Sequence, residues 1–124
     1  MTLVGISSHV NDYRLCWALN RGLGLQLVRR RSDIVDESPE RAAYFAVFDH
    51  HAGEEDAQWT LVNNHSPAGP LLKEQAKADF FLMVDEETGP DPTDLLDRLR
   101  NIDLVLTAFP LDLRTIRGGH KLLQ

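Results

Sequence analysis

The sequence holds a single cysteine, Cys16, among 124 residues. One thiol cannot close an internal disulfide or build a multi-cysteine zinc centre, so neither device is expected to staple the fold. No apolar run reaches the ~18–20 residues that span a bilayer. The first residues lack the basic stretch and apolar core of a secretory signal, which leads us to expect a cytoplasmic protein with no membrane partner. Basic residues are in deficit: Lys and Arg number 13 against 19 Asp and Glu, a net charge of −6. That balance argues against nucleic acid as a partner. Neither internal repeats nor low-complexity tracts occur. What is present, 43% hydrophobic and 26% charged residues, is the composition of an ordinary globular domain with its own core.

Along the chain, Leu3 to Ile6 predicts a strand, and Ser7-Ser8 a helix cap whose hydroxyl satisfies an orphan amide. The helix is expected from His9 to Arg21. Val10, Tyr13, Cys16, Trp17 and Leu19 form its apolar face, with Asn11, Arg14, Ala18 and Arg21 on the other side. Gly22 and Gly24 are placed to end it. Leu25 to Val28 alternates as a strand, and Ser32 to Glu40 reads as a loop. Ala43 to Phe48 and Trp59 to Val62 read as an antiparallel hairpin. After a loop from Asn63 to Pro70, Leu71 to Lys77 suits a short helix and Asp79 to Val84 a buried strand. Pro92 or Thr93 opens a helix with Leu95, Leu96, Leu99 and Ile102 inward. Leu104 to Phe109 is the last strand, and Pro110 suits the start of a short helix reaching Ile116.

The order β-α-β-β-β-(short α)-β-α-β predicts an α+β fold, a two-layer sandwich of ferredoxin-like or ACT-like type with an added hairpin. Residues 1–117 are expected to form one domain and 118–124 a flexible tail. An incomplete doubly wound sheet competes, but no helices separate the middle strands.

Candidate chemistry is sparse. Asp49-His50-His51, with Glu54, Glu55 and Asp56, has the residue types of a metal site. Adjacent strand residues point to opposite faces, however, and His65 falls on the order of 20 Å from His50 at the strand rise. A loop without metal is therefore expected. Cys16 lies between Leu15 and Trp17, where a buried structural thiol is the simpler reading than a nucleophile. Ser7 and Ser8 lack a nucleophile-elbow context. Gly22-Leu23-Gly24 follows a helix rather than joining strand to helix, so it is no dinucleotide fingerprint. Arg29 to Arg31 suits a solvated strand end. Neither a catalytic residue nor a cofactor site can be nominated, and none is expected.

Two segments resemble the IPExxxVDY family, small bacterial proteins of unassigned function. One is His9-Val10-Asn11-Asp12-Tyr13-Arg14-Leu15-Cys16-Trp17-Ala18-Leu19-Asn20. In the other, Leu72 stands for Ile, Glu74 keeps the Glu and Asp79 keeps the Asp, whereas Lys73, Ala78 and Phe80 replace Pro, Val and Tyr. The resemblance implies a small cytosolic protein and brings no catalytic mechanism with it. Arg14, Glu74 and Asp79 are charges beside strongly apolar neighbours. Arg14 is expected either to anchor the first helix to one of the two carboxylates or to point into water.

The hairpin aromatics offer a binding surface. Tyr44, Ala46 and Phe48 alternate with Phe45 and Val47, and Trp59 lies on the partner strand. One helix layer cannot cover both faces, so Tyr44, Phe45, Phe48 and Trp59 are the expected interaction surface and a homodimer the expected state. The function expected is a non-catalytic protein-interaction or regulatory module that self-associates. An ACT-like domain binding a small metabolite is the second reading. An RNA-processing accessory protein, suggested by the resemblance alone, is the third.

Overall fold

A computed structural model describes residues 1–37, 42–50 and 57–124. The elements in chain order are β1 (Thr2–Ser7), α1 (Asp12–Leu23), β2 (Val28–Arg29), β3 (Ile34–Glu37), β4 (Ala42–Phe45), β5 (Val47–His50), β6 (Trp59–Asn63), a 3-10 turn (Lys73–Gln75), β7 (Phe80–Val84), α2 (Pro92–Arg100), β8 (Thr107–Leu111) and a final 3-10 turn (Gly119–Leu123). This is a mixed α+β domain. Six strands form one sheet in the order β2-β5-β6-β7-β1-β8, and β3 pairs with β4 in a second sheet. Every neighbouring pair is antiparallel.

The order has a simple internal logic. β1 and β6 run parallel with β7 between them, and β7 and β8 run parallel with β1 between them. The chain passes through α1 on its way from β1 to β6, and through α2 from β7 to β8. Two interlocked split β-α-β units result, the ferredoxin-like pattern. Residues between α1 and β6 supply the addition: β5 and β2 widen the sheet, while β3 and β4 leave it.

Alternation along the strands builds two cores. Val4, Ile6, Phe48, Trp59, Leu61, Phe80, Leu82 and Val84 join Leu15, Cys16, Leu19, Leu95 and Leu99 of the helices. Leu3, Phe45, Val47, Val62, Phe81 and Met83 face the other way, where Ile34, Leu71, Leu72, Ala78 and Leu122 cover them. Asn64, fully buried, ties down part of that cover. Its Oδ1 accepts from the Leu72 amide at 2.9 Å and its Nδ2 donates to the Ala78 carbonyl at 2.8 Å.

Several expectations are corrected. Ile34–Glu37 is a strand, not loop, because Val35 pairs with Tyr44 and Ile34 with Phe45. The run from Ala43 to Phe48 is two strands broken at Ala46, each committed to a different sheet. Pro110 lies inside β8, tolerated because an edge strand needs hydrogen-bond donors on one side only. The terminal segment expected to be a loose tail forms a 3-10 turn whose Leu122 is 2% exposed. The Gln124 side chain pairs with Val35 through its amide and carbonyl, at 3.1 and 3.0 Å. Asn11, rather than a serine, caps α1 by accepting from the Arg14 amide. Among the described residues no helix is long and apolar enough to cross a membrane.

Gly5 sits opposite Phe109 in the β1–β8 ladder, and a Cβ there would collide with the Phe109 ring. Gly5→Ala must therefore push the ring off the strand. A loss of about 1–3 kcal/mol in denaturant melts is expected, the usual cost of overpacking.

Candidate functional site

The expected hairpin surface is not a surface. Phe45, Phe48 and Trp59 are buried, and only Tyr44 is exposed. The alternation from Phe45 to Phe48 is as expected, but the chain covers both faces itself. Helices lie over Phe48 and Trp59, and β3 with the loop leucines lies over Phe45.

The expected anchor is not formed either. Arg14 is exposed and has no ion pair among the described residues. Glu74 pairs instead with Arg117, at 3.2 Å. Asp79 serves the end of the sheet: one carboxylate oxygen accepts from the Ser8 amide at 2.9 Å, and the other lies 2.7 Å from His65 Nε2. The reason is rotational. Arg14 belongs to the first turn of a helix that begins at Asp12, and Leu15, Leu19 and Leu23 point the opposite side of that turn at the core.

The titratable groups have structural duties. Burial, with the Asp12 carboxylate second, pushes the Cys16 thiol up to about 12 from its ordinary 9.0, which leaves it protonated at neutral pH. His50 Nδ1 accepts from the Gln26 amide at 2.8 Å. His51, Glu54, Glu55 and Asp56 lie outside the described residues. Among the described residues no three His, Cys, Asp or Glu side chains converge closely enough to hold a metal ion. Arg30 grips Asp49 through two hydrogen bonds, of 2.7 and 3.0 Å, and Thr60 donates to the same carboxylate. Hydrogen bonding to Asp49 accordingly raises the Arg30 pKa. Arg29 reaches Asp33 at 3.1 Å and the Tyr13 hydroxyl at 3.4 Å.

One feature went unforeseen in the sequence. Tyr13 and Trp17 were assigned to the apolar face of α1, yet each is 61% exposed, whereas Ala18 from the expected polar side is buried. On a helix of 3.6 residues per turn, Leu15, Leu19 and Leu23 mark the inward side and Tyr13, Trp17 and Arg21 a stripe almost opposite. The Arg21 guanidinium lies 5.5 Å from the centre of the Trp17 ring. Tyr13 meets Phe48 edge-on, with ring centres 5.9 Å apart. Leu104 borders the same patch beside Tyr13, Arg14 and Trp17. Its φ of 77° is costly for leucine, and its carbonyl accepts from the Ser8 hydroxyl at 2.6 Å.

Beside Trp17 a groove of about 610 Å3 runs between α1 and the end of α2, with Ala18, Gly22 and Ile102 among its walls. Gly22 lets the helices approach there: a Cβ would fall 2.7 Å from the Ile102 side chain, which would have to shift. The signal that could have found this site is the i, i+4, i+8 spacing of Leu15, Leu19 and Leu23. Those leucines define a narrow inward stripe that leaves the aromatics outside.

No family model, curated protein or solved structure matches the chain.

Two measurements check these placements. Asp79→Ala should cost about 1–3 kcal/mol because it strips partners from the Ser8 amide and His65. Arg14→Ala should change stability by less than about 0.5 kcal/mol, and the double variant should show no coupling. The raised Cys16 pKa favours the folded state fully below pH 9, and that contribution is lost as pH climbs towards 12. Cys16→Ala should therefore flatten the fall in stability across that alkaline window, followed by melts at fixed pH steps.

Proposed function

We propose that this chain is a non-catalytic protein-interaction module whose contact surface is the outer face of α1. The observation that carries the reading is the exposure of Tyr13 and Trp17 on the side of α1 turned away from the core. Large aromatics exposed on one helix stripe are the usual anchors of a protein interface, giving contact area at low entropic cost. Both sheet faces are covered, and among the described residues no buried side-chain donor or acceptor lacks a partner. Cys16 is buried and protonated, which supports a structural rather than nucleophilic thiol.

A cytoplasmic location and membership of the IPExxxVDY family belong to the same proposal. The free thiol supports the first. The second rests on the two resembling segments; Asp79, shared with the motif, ties β1 to the loop holding His65. Nucleic acid is left out of this reading, since Lys and Arg number 13 against 19 Asp and Glu and offer no broad electrostatic footprint. The groove beside Trp17 favours a second reading, an ACT-like site for a small metabolite, because its size falls within the usual ligand-pocket range.

Site-specific photo-crosslinking in the native cell tests the proposal. A photoreactive phenylalanine derivative in place of Trp17 should trap a protein, and the same group in place of exposed Glu87 should not. Equal trapping at both positions, or no protein adduct at position 17, would contradict it.

A further inference from the structure

We infer that the segment from Gly119 to Gln124 is a releasable strap, which caps the free edge of β3 when closed and bares it when open. It lies on the layer opposite α1 and stands apart from the interaction surface above. Among the described residues β3 pairs with β4 along one edge only. On the other edge the Gln124 side chain engages both backbone groups of Val35. The Val35 amide donates to Gln124 Oε1 at 3.1 Å, and Gln124 Nε2 donates to the Val35 carbonyl at 3.0 Å. A primary amide carries the same donor and acceptor as a peptide group. One side chain thus supplies what a neighbouring strand would supply at that residue. A bare edge is a template for a further strand, so this contact is inhibitory: it decides whether β3 is open to one.

The hold on the strap is local and slight. Leu122 is its one buried apolar side chain, set in the core on the β3 side of the sheet. Lys121 reaches Asp36 at 3.2 Å, but with 32% and 34% of these side chains exposed the pair contributes little. Arg30, already gripping Asp49, donates to the Gln124 carbonyl at 2.9 Å. Leu123 stands out in solvent. A cavity of about 570 Å3 adjoins Leu122, Leu123 and Gln124, with Arg30, Thr60 and Met83 among its other walls. The strap therefore leaves open space beside it. At its root Gly118 has a φ of 78°, a conformation glycine adopts freely and other residues only with strain. Few buried apolar contacts and partly exposed hydrogen bonds mark a segment that opens ahead of the whole domain. Because Lys121, Leu122 and Gln124 follow one glycine root, they leave together, and the β3 edge is either capped or bare.

Hydrogen exchange of the full chain reads the strap from both of its sides. The Val35 amide is held by Gln124, and the Lys121 amide by the Gly118 carbonyl at 3.0 Å. In the wild type both amides should share one opening constant, at least about a hundredfold larger than that of the β7 amides and little changed by low guanidinium. Gly118→Ala strains the closed root without removing a side chain that holds the strap. It should raise both constants together by at least about tenfold, and those of β7 by no more than the same factor. Thiol labelling gives a second reading, with Cys16 of the helix-side core as the internal control. In the Leu122→Cys variant the introduced thiol should react well before Cys16. A Val35 amide that exchanges as slowly as those of β7 overturns the inference, because the strap then opens only with the whole fold. Unequal constants at Val35 and Lys121 overturn it too, since Gln124 is then fraying alone. So does a Leu122→Cys variant whose two thiols react at the same rate.

Discussion

A strand that is apolar at every position, Phe80-Phe81-Leu82-Met83-Val84, dictates the rest of the molecule. It lies between β6 and β1 near the middle of the sheet, and all five side chains are buried. Because successive side chains point to opposite faces, such a strand demands cover on both sides. Two helices provide one layer. For the other the chain uses small pieces: the β3–β4 hairpin, Leu71 and Leu72 held by Asn64, and Leu122 from the final turn. Burying a leucine or phenylalanine side chain contributes about 1.5–3 kcal/mol, which explains why short segments without much secondary structure can be kept in place.

Closure of both faces decides which aromatics stay exposed. The ferredoxin-like core and its added strands absorb Phe45, Phe48 and Trp59, and Asp79 and Asn64 are used within the fold. Of the large aromatics singled out from the sequence, Trp17 and Tyr44 remain exposed, joined by Tyr13. Tyr44 stands on the hairpin of the second sheet. Tyr13 and Trp17 stand together on α1, next to a groove and to a leucine held in a left-handed conformation. The proposed function is accordingly placed on the helical side of the domain.

Much of this architecture was legible from residue patterns. The α+β class, the order of the principal strands and helices, α2 with its proline-led start and the buried character of β7 follow from periodicity and breaker residues. Ile34 to Glu37 was hidden because a four-residue strand with one fully buried side chain looks like polar loop. The break at Ala46 was hidden because alternation continues through it: Phe45 and Val47 face one core while Ala46 and Phe48 face the other. The outer face of α1 was misjudged for a different reason. Hydrophobicity ranks tyrosine and tryptophan with the core residues, but Ala18 rather than Trp17 is buried. The exposed aromatics accordingly lie on the helix rather than on the expected hairpin surface, and Arg14, expected as an anchor or a solvated charge, borders them.

The central claim is that Phe45, Phe48 and Trp59 are interior and the α1 aromatics exterior. The two tryptophans report on it separately, because Trp59 belongs to the helix-side core and Trp17 to the exposed stripe. Acrylamide quenching of the single-tryptophan variants Trp59→Phe and Trp17→Phe, at a dilution where the chain is monomeric, measures each ring's access to solvent. Strong quenching of Trp17 and weak quenching of Trp59 is the predicted result. Equal quenching of the two, or a shielded Trp17 in the monomer, would contradict the account.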